Sequence, residues 1–160
     1  MRLCLSQIGG MTLLMIAALL VGAASAAAED TLTYRNDRFG TEIRFPTGLF
    51  DTLTSPPTDG DGQTFLGKDN AELLVYGSRG QDMESLARVA REQLDEITLD
   101  RVTRNWFAIS GFDSRGNVFY QRTESGADGV LHSAILRYPP SQKSRIDPQV
   151  GPIMNSLSGP

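Results

Sequence analysis

The feature that most constrains the fold is a succession of four β-rich segments, Leu99 to Thr103, Asn105 to Phe112, Asn117 to Thr123 and Val130 to Tyr138, joined by short connections. Asp113-Ser114-Arg115-Gly116 and Ser125-Gly126-Ala127-Asp128-Gly129 are rich in turn formers. Connections of this length return a strand antiparallel to the one before it. The segments therefore predict an antiparallel meander, with Trp106, Phe107, Ile109, Phe112, Val118, Phe119 and Tyr120 placing apolar bulk on both faces of its middle strands.

Before the meander the chain reads as two further hairpins and one helix. Thr31 to Tyr34 and Thr41 to Phe45 flank the turn residues Asn36, Asp37 and Gly40, and in the second run Ile43 and Phe45 oppose Glu42 and Arg44, the alternation of a half-buried strand. Pro46 ends that pair, and Leu49 to Leu53 is ambiguous between helix and strand. Gln63 to Leu66 and Glu72 to Tyr76 form a hairpin about Gly67-Lys68-Asp69-Asn70. Leu73 and Val75 share one face of its second strand and Leu74 and Tyr76 the other, which predicts a central strand covered from two sides. A helix is expected from Met83 to Ile97, capped by Asp82, with Met83, Leu86, Ala87, Ala90, Leu94 and Ile97 on its packing face. A second helix is expected at the C-terminal end. There Asp147-Pro148 has the form of a cap, but Pro152 moves the regular helix to begin near that residue, with Ile153, Met154 and Leu157 at helical spacing.

Residues 1 to 28 read as an export signal. Arg2 is the one charge, Met11 to Val21 is an apolar run, and Ala24-Ser25-Ala26 supplies the small residues of a cleavage site, with cleavage after Ala26 or Ala28. The competing reading is an uncleaved anchor, but the Ala, Gly and Ser content of its second half transfers to lipid weakly. The expected location is periplasmic or secreted, and residues 29 to 160 are expected to form a single domain. Cys4, the one cysteine of the chain, lies before the apolar run, so it is misplaced for lipidation and leaves the exported part without a thiol or a disulfide.

The chain carries 15 Lys and Arg against 19 Asp and Glu, a net charge of −4, and removal of Arg2 with the signal makes it more acidic still. That balance argues against a nucleic-acid partner. Thiol chemistry is excluded in the exported part, and the single histidine, His132, cannot supply a histidine-based metal cluster. His132 falls on the face of Val130, Ala134 and Leu136 and is expected to be a packed structural residue. Neither Gly77-Ser78-Arg79-Gly80 nor Ile109-Ser110-Gly111 has the spacing of a nucleophile elbow. Asp59-Gly60-Asp61-Gly62 opens like a calcium loop but has Thr64 where glycine is needed and Asn70 where a bidentate glutamate is needed, so it is read as a solvated turn. Glu72, Asp100 and Glu124 are carboxylates without distinguishing context, and no catalytic residue, cofactor or metal site is assigned.

The motif Tyr34-x-Asn36-x-Arg38-Phe39-Gly40, the strand end Phe45-Pro46, the Gly60-Asp61-Gly62 turn, Leu73-Leu74-Val75-Tyr76 and a single amphipathic helix before a meander resemble the PsbP-like superfamily. The resemblance spans about Thr31 to Leu157. Asn105-Trp106-Phe107-x-Ile109-Ser110-Gly111 with Phe119-Tyr120 is most similar to that superfamily's small exported bacterial proteins. The resemblance implies an α+β fold, an antiparallel β-sheet flanked by helices in an α/β/α sandwich, used mostly as a binding or scaffolding module. It transfers no catalytic residue set.

Two groups of residues are candidates for binding. Arg101, Arg122 and Arg137 would form a basic stripe if antiparallel neighbours aligned them, suited to bidentate contact with an anion; the alternative is a solvated face paired to Glu124 or Asp100. Tyr34, Phe39, Trp106, Phe112 and Tyr138 are aromatic residues able to line a groove or to fill the core, and Trp106, at a strand start after Arg104-Asn105, is the one expected to be half covered. The expected function is an exported, non-catalytic domain that binds a protein or envelope component, with membrane contact only through an uncleaved export segment. The alternative is an envelope hydrolase with a carboxylate-based site, or a hydrolase inhibitor.

Overall fold

The computed structural model describes residues 30 to 160, so the export segment expected at 1 to 28 lies outside the described residues. Strands β1 (Thr31–Arg35) and β2 (Glu42–Pro46) pair antiparallel, with Thr31 opposite Pro46 and Arg35 opposite Glu42. The turn between them is held by Asn36, whose side-chain oxygen accepts the Phe39 amide at 2.8 Å. Its amide nitrogen donates to the Gly60 carbonyl at 2.8 Å. Gly40 takes a φ of 68°, a conformation that a side chain would strain.

The remaining strands form one antiparallel sheet: β3 (Phe50–Leu53), β4 (Gly62–Gly67), β5 (Glu72–Ser78), β6 (Glu96–Val102), β7 (Trp106–Phe112), β8 (Val118–Ser125) and β9 (Leu131–Tyr138). Its spatial order is β3-β4-β5-β9-β8-β7-β6. The meander β6 to β9 is as expected, and the apolar stretch after Leu49 resolves into the edge strand β3. β9 closes the sheet by pairing along the whole of β5, from Glu72 opposite Arg137 to Ser78 opposite Leu131.

Each face of the sheet has its own cover. On one, the β1–β2 pair and helix α2 (Lys143–Asn155) enclose Ile43, Phe45, Phe65, Leu73, Val75, Leu136, Ile146, Ile153 and Met154. On the other, helix α1 (Met83–Glu92) sets Leu86, Ala87 and Ala90 on Phe107, Ile109, Phe119 and Leu131. Asp82 caps α1, accepting from the Ser85 amide at 2.8 Å and the Ser85 hydroxyl at 2.7 Å.

Both helices depart from the periodicity reading. α1 ends at Glu92, not Ile97, because the chain is drawn into the sheet: the Asp95 amide donates to the Phe112 carbonyl at 3.0 Å and Glu96 opens β6. Ile97 therefore leaves the helical packing face and stands 44% exposed. Its spacing from Leu94 fits a helix, but its alternation with Leu99 fits a strand equally well, and the ladder with β7 decides. α2 conversely begins at Lys143 and runs through Pro148 and Pro152. The prolines remove two amides, but both sit on the exposed side of the helix, while Ile146, Ile153 and Met154 hold the opposite side in the core. Asp147 is then no cap. It accepts the Tyr138 hydroxyl at 2.7 Å and pairs with Lys143 at 3.1 Å.

Candidate functional site

Strands β6, β7 and β8 bring Arg101, Ala108 and Arg122 into one transverse row, since Arg101 and Arg122 are the register partners of Ala108 on either side. Trp106 stands two residues along β7 on the same face. The guanidinium carbons of Arg101 and Arg122 lie 5.3 Å and 5.2 Å from the indole centroid, within cation–π range. Beneath this stack Ala108 is 4% exposed. The edge strand β6 is exposed at every residue but Val102, so the stack faces water.

Charge in the patch is unevenly balanced. Glu124, opposite Trp106 in the register, lies 3.4 Å from Arg122. Asp100, the other expected partner, turns to the opposite face, where α1 supplies Arg91 at 2.8 Å and 3.1 Å. The hydrogen bond from Arg91 holds the Asp100 carboxyl below the usual carboxylate range. Arg101 has no ion pair among the described residues, so its donors are available to a ligand.

Three of the four expected binding residues thus come together and the fourth does not. Arg137 pairs with Phe119 in the register whereas Arg122 pairs with Ala134, an odd offset that sends the two arginines to opposite faces. Arg137 lies over the Phe119 ring at 5.0 Å, with Gln93 at 3.3 Å and Glu72 at 4.0 Å. The other aromatic candidates line no common groove. Tyr34 packs edge-on against Phe65 at 5.2 Å, Tyr138 is 3% exposed, and Phe39 and Phe112 lie under Arg38 and Lys143.

A cleft of about 640 Å³ opens at one end of the sheet, lined by Asp69, Glu72, Asp113, Arg115, Asn117 and Arg137 among others. Two of its acids, Asp69 and Asp113, are committed to local structure. Asp69 accepts from Gln142 at 2.7 Å and Ser141 at 3.0 Å, and these bonds lower its pKa. In Asp113 burial pushes the pKa up, but bonds from the Asn117 side chain and the Asn117 and Arg115 amides outweigh it and the net shift is downward. A general acid needs the opposite shift. Among the described residues no three potential metal ligands converge.

His132 is 1% exposed, as its alternation with Ala134 and Leu136 indicated. Its Nδ1 is 2.8 Å from the Thr41 hydroxyl, 91 positions away in sequence, and its Nε2 is buried without a partner. The segment Ser158 to Pro160 covers the ring, held by the bridge between Glu42 and Ser158 and by the Ala127 amide on the Pro160 carbonyl at 3.0 Å. Burial lowers the imidazole pKa, with the Asp128 charge opposing it. Between that lowered value and about 6.5 the unfolded chain binds more protons than the folded one. The His132 contribution to stability is therefore expected to be flat above about pH 6.5 and to fall as pH drops through this window. Urea unfolding from pH 7.5 to 5 should show the slope in the native chain and a smaller one in a His132→Gln variant; equal slopes would remove His132 as the cause.

No family model matches the chain, and no curated protein matches it. Among solved structures it is similar to the solution structure of cyanobacterial PsbP (CyanoP) from Synechocystis sp. PCC 6803, with a TM-score of 0.55 over 88% of this chain and 99% of that one. The chain has a PsbP-like fold. At 12% sequence identity the likeness is one of fold alone.

Proposed function

We propose that this chain is an exported, non-catalytic binding or scaffolding domain of the bacterial envelope, which engages a protein or envelope component through the β6–β8 face. The observation that carries the reading is Arg101: a guanidinium stacked on Trp106, on an exposed edge strand, with no carboxylate among the described residues to occupy it. Aromatic and arginine side chains in combination are the residues that most often anchor interfaces. The charge pattern and small-residue site of residues 1 to 28 support export, and a net charge of −4 favours a partner other than nucleic acid.

The test is crosslinking and affinity recovery of the exported protein from its native envelope fraction, beside a Trp106→Ala variant whose folding is checked by circular dichroism. A specific partner is expected from the native chain and at least about tenfold less from the variant, the loss typical of a truncated interface anchor of some 1.4 kcal/mol or more. Recovery of no specific partner, together with hydrolysis of peptidoglycan or ester substrates, would overturn the proposal in favour of an enzyme.

A further inference from the structure

We infer that the partner presents an acidic, extended peptide segment, which adds to the free edge of β6 as an additional strand; this rests on the binding reading above and names its chemistry. β6 is the last strand of the sheet, so among the described residues its outer edge faces no other strand. The Thr103 amide donates to the Trp106 carbonyl at 2.8 Å. From that bond the antiparallel alternation turns the amide and carbonyl groups of Val102 and Asp100 away from β7. These groups are in place to pair with an extended chain.

Side chains beside this edge specify what the chain would carry. A residue set opposite Arg101 falls on the Trp106 face, where Arg101 and Arg122 outnumber Glu124, and Arg104 follows in the adjoining turn. A carboxylate at that position accepts from donors that nothing else in the patch uses. Two residues away an apolar side chain meets Leu99, 38% exposed. The opposite face offers no repulsion, because Asp100 is neutralised by Arg91. The required segment is thus an acidic residue and an apolar residue two positions apart in an extended run. An anionic lipid surface would satisfy the guanidinium groups but leave the backbone edge unmet. Pairing between two copies of β6 is opposed by the irregularity between Ile97 and Leu99 and by the charges at Glu96, Asp100 and Arg101.

The experiment titrates the folded protein with five probes: an octapeptide repeating Glu-Thr-Val-Thr, which sets glutamate and valine two positions apart, its lysine counterpart, the glutamate peptide N-methylated at alternate residues in each of the two registers, and phosphatidylglycerol vesicles. The glutamate peptide is expected to bind and to protect the Asp100 and Val102 amides from hydrogen exchange. The lysine peptide and an Arg101→Glu variant should lose binding, and one N-methylated register should bind about tenfold more weakly, the effect of losing one or two hydrogen bonds. Failure of the glutamate peptide to bind, equal binding of both N-methylated forms, or binding to vesicles alone would overturn the inference. If a Trp106-dependent partner is still recovered in any of those cases, the binding reading stands without it. If recovery is insensitive to both Trp106→Ala and Arg101→Glu, both readings fall.

Discussion

Phe65→Ala is expected to destabilise the fold by about 3–5 kcal/mol, the range for removing a fully buried aromatic ring. Phe65 is 1% exposed in β4, with Leu73 as its register partner on the inner face. Its ring meets Tyr34 edge-on at 5.2 Å and Phe45 at 4.7 Å, and Phe45 in turn meets Phe50 at 5.8 Å. These contacts join the β1–β2 pair to the main sheet, two layers that share no ladder hydrogen bonds. Deleting the ring removes its transfer free energy and leaves a void that the surrounding strands cannot close without sliding over one another. Phe65→Leu should retain most of the lost stability, since it keeps the site apolar and largely filled. Denaturant unfolding of the two variants decides the matter. A loss below about 1 kcal/mol in Phe65→Ala would show that the two layers are held together elsewhere.

Gly111→Ala is expected to cost about 3 kcal/mol, the upper part of the range for overpacking, and to act on one edge of the sheet. Gly111 lies in β7 between Ile97 and Phe119 in the register. A methyl group there would overlap the Glu96 carbonyl oxygen and stand 2.9 Å from its carbon and 3.0 Å from the Ile97 Cα. The obstruction is backbone, at the place where β6 departs from regular register between Ile97 and Leu99. Relief requires the start of β6 to move outward. Hydrogen exchange should therefore show Glu96 to Leu99 losing protection while β8 and β9 keep theirs. Because β6 carries Arg101, the same substitution should loosen the stack on Trp106. Unchanged stability and exchange would mean that β6 can shift here at no cost.

How far the candidate site was legible follows from the kind of information each part needs. Trp106 as a half-covered ring at a strand start was readable, because a polar Arg104-Asn105 turn before an apolar run is a local pattern. That Arg101 and Arg122 flank it depends on two registers, and that Arg137 does not depends on a third. A slip of one residue moves a side chain to the other face, so composition alone could not separate the arginines. Ile97 satisfies helical spacing with Leu94 and strand alternation with Leu99, and only the ladder with β7 resolves it. The prolines of α2 misled in the other direction, since their cost depends on whether the freed carbonyls meet water or core.

By itself the sequence determined the α+β class, the hairpins, the antiparallel order of the meander and a chemistry limited to one histidine and no thiol after Cys4. Those are properties of short windows, where side-chain period and turn residues decide. The tertiary structure alone decided that β9 lies between β5 and β8, that Thr41 reaches His132, and that Trp106 gathers two arginines on an open edge. Such contacts join residues distant along the chain, and they form where burying apolar faces against one another outweighs the entropy of closing the intervening loops.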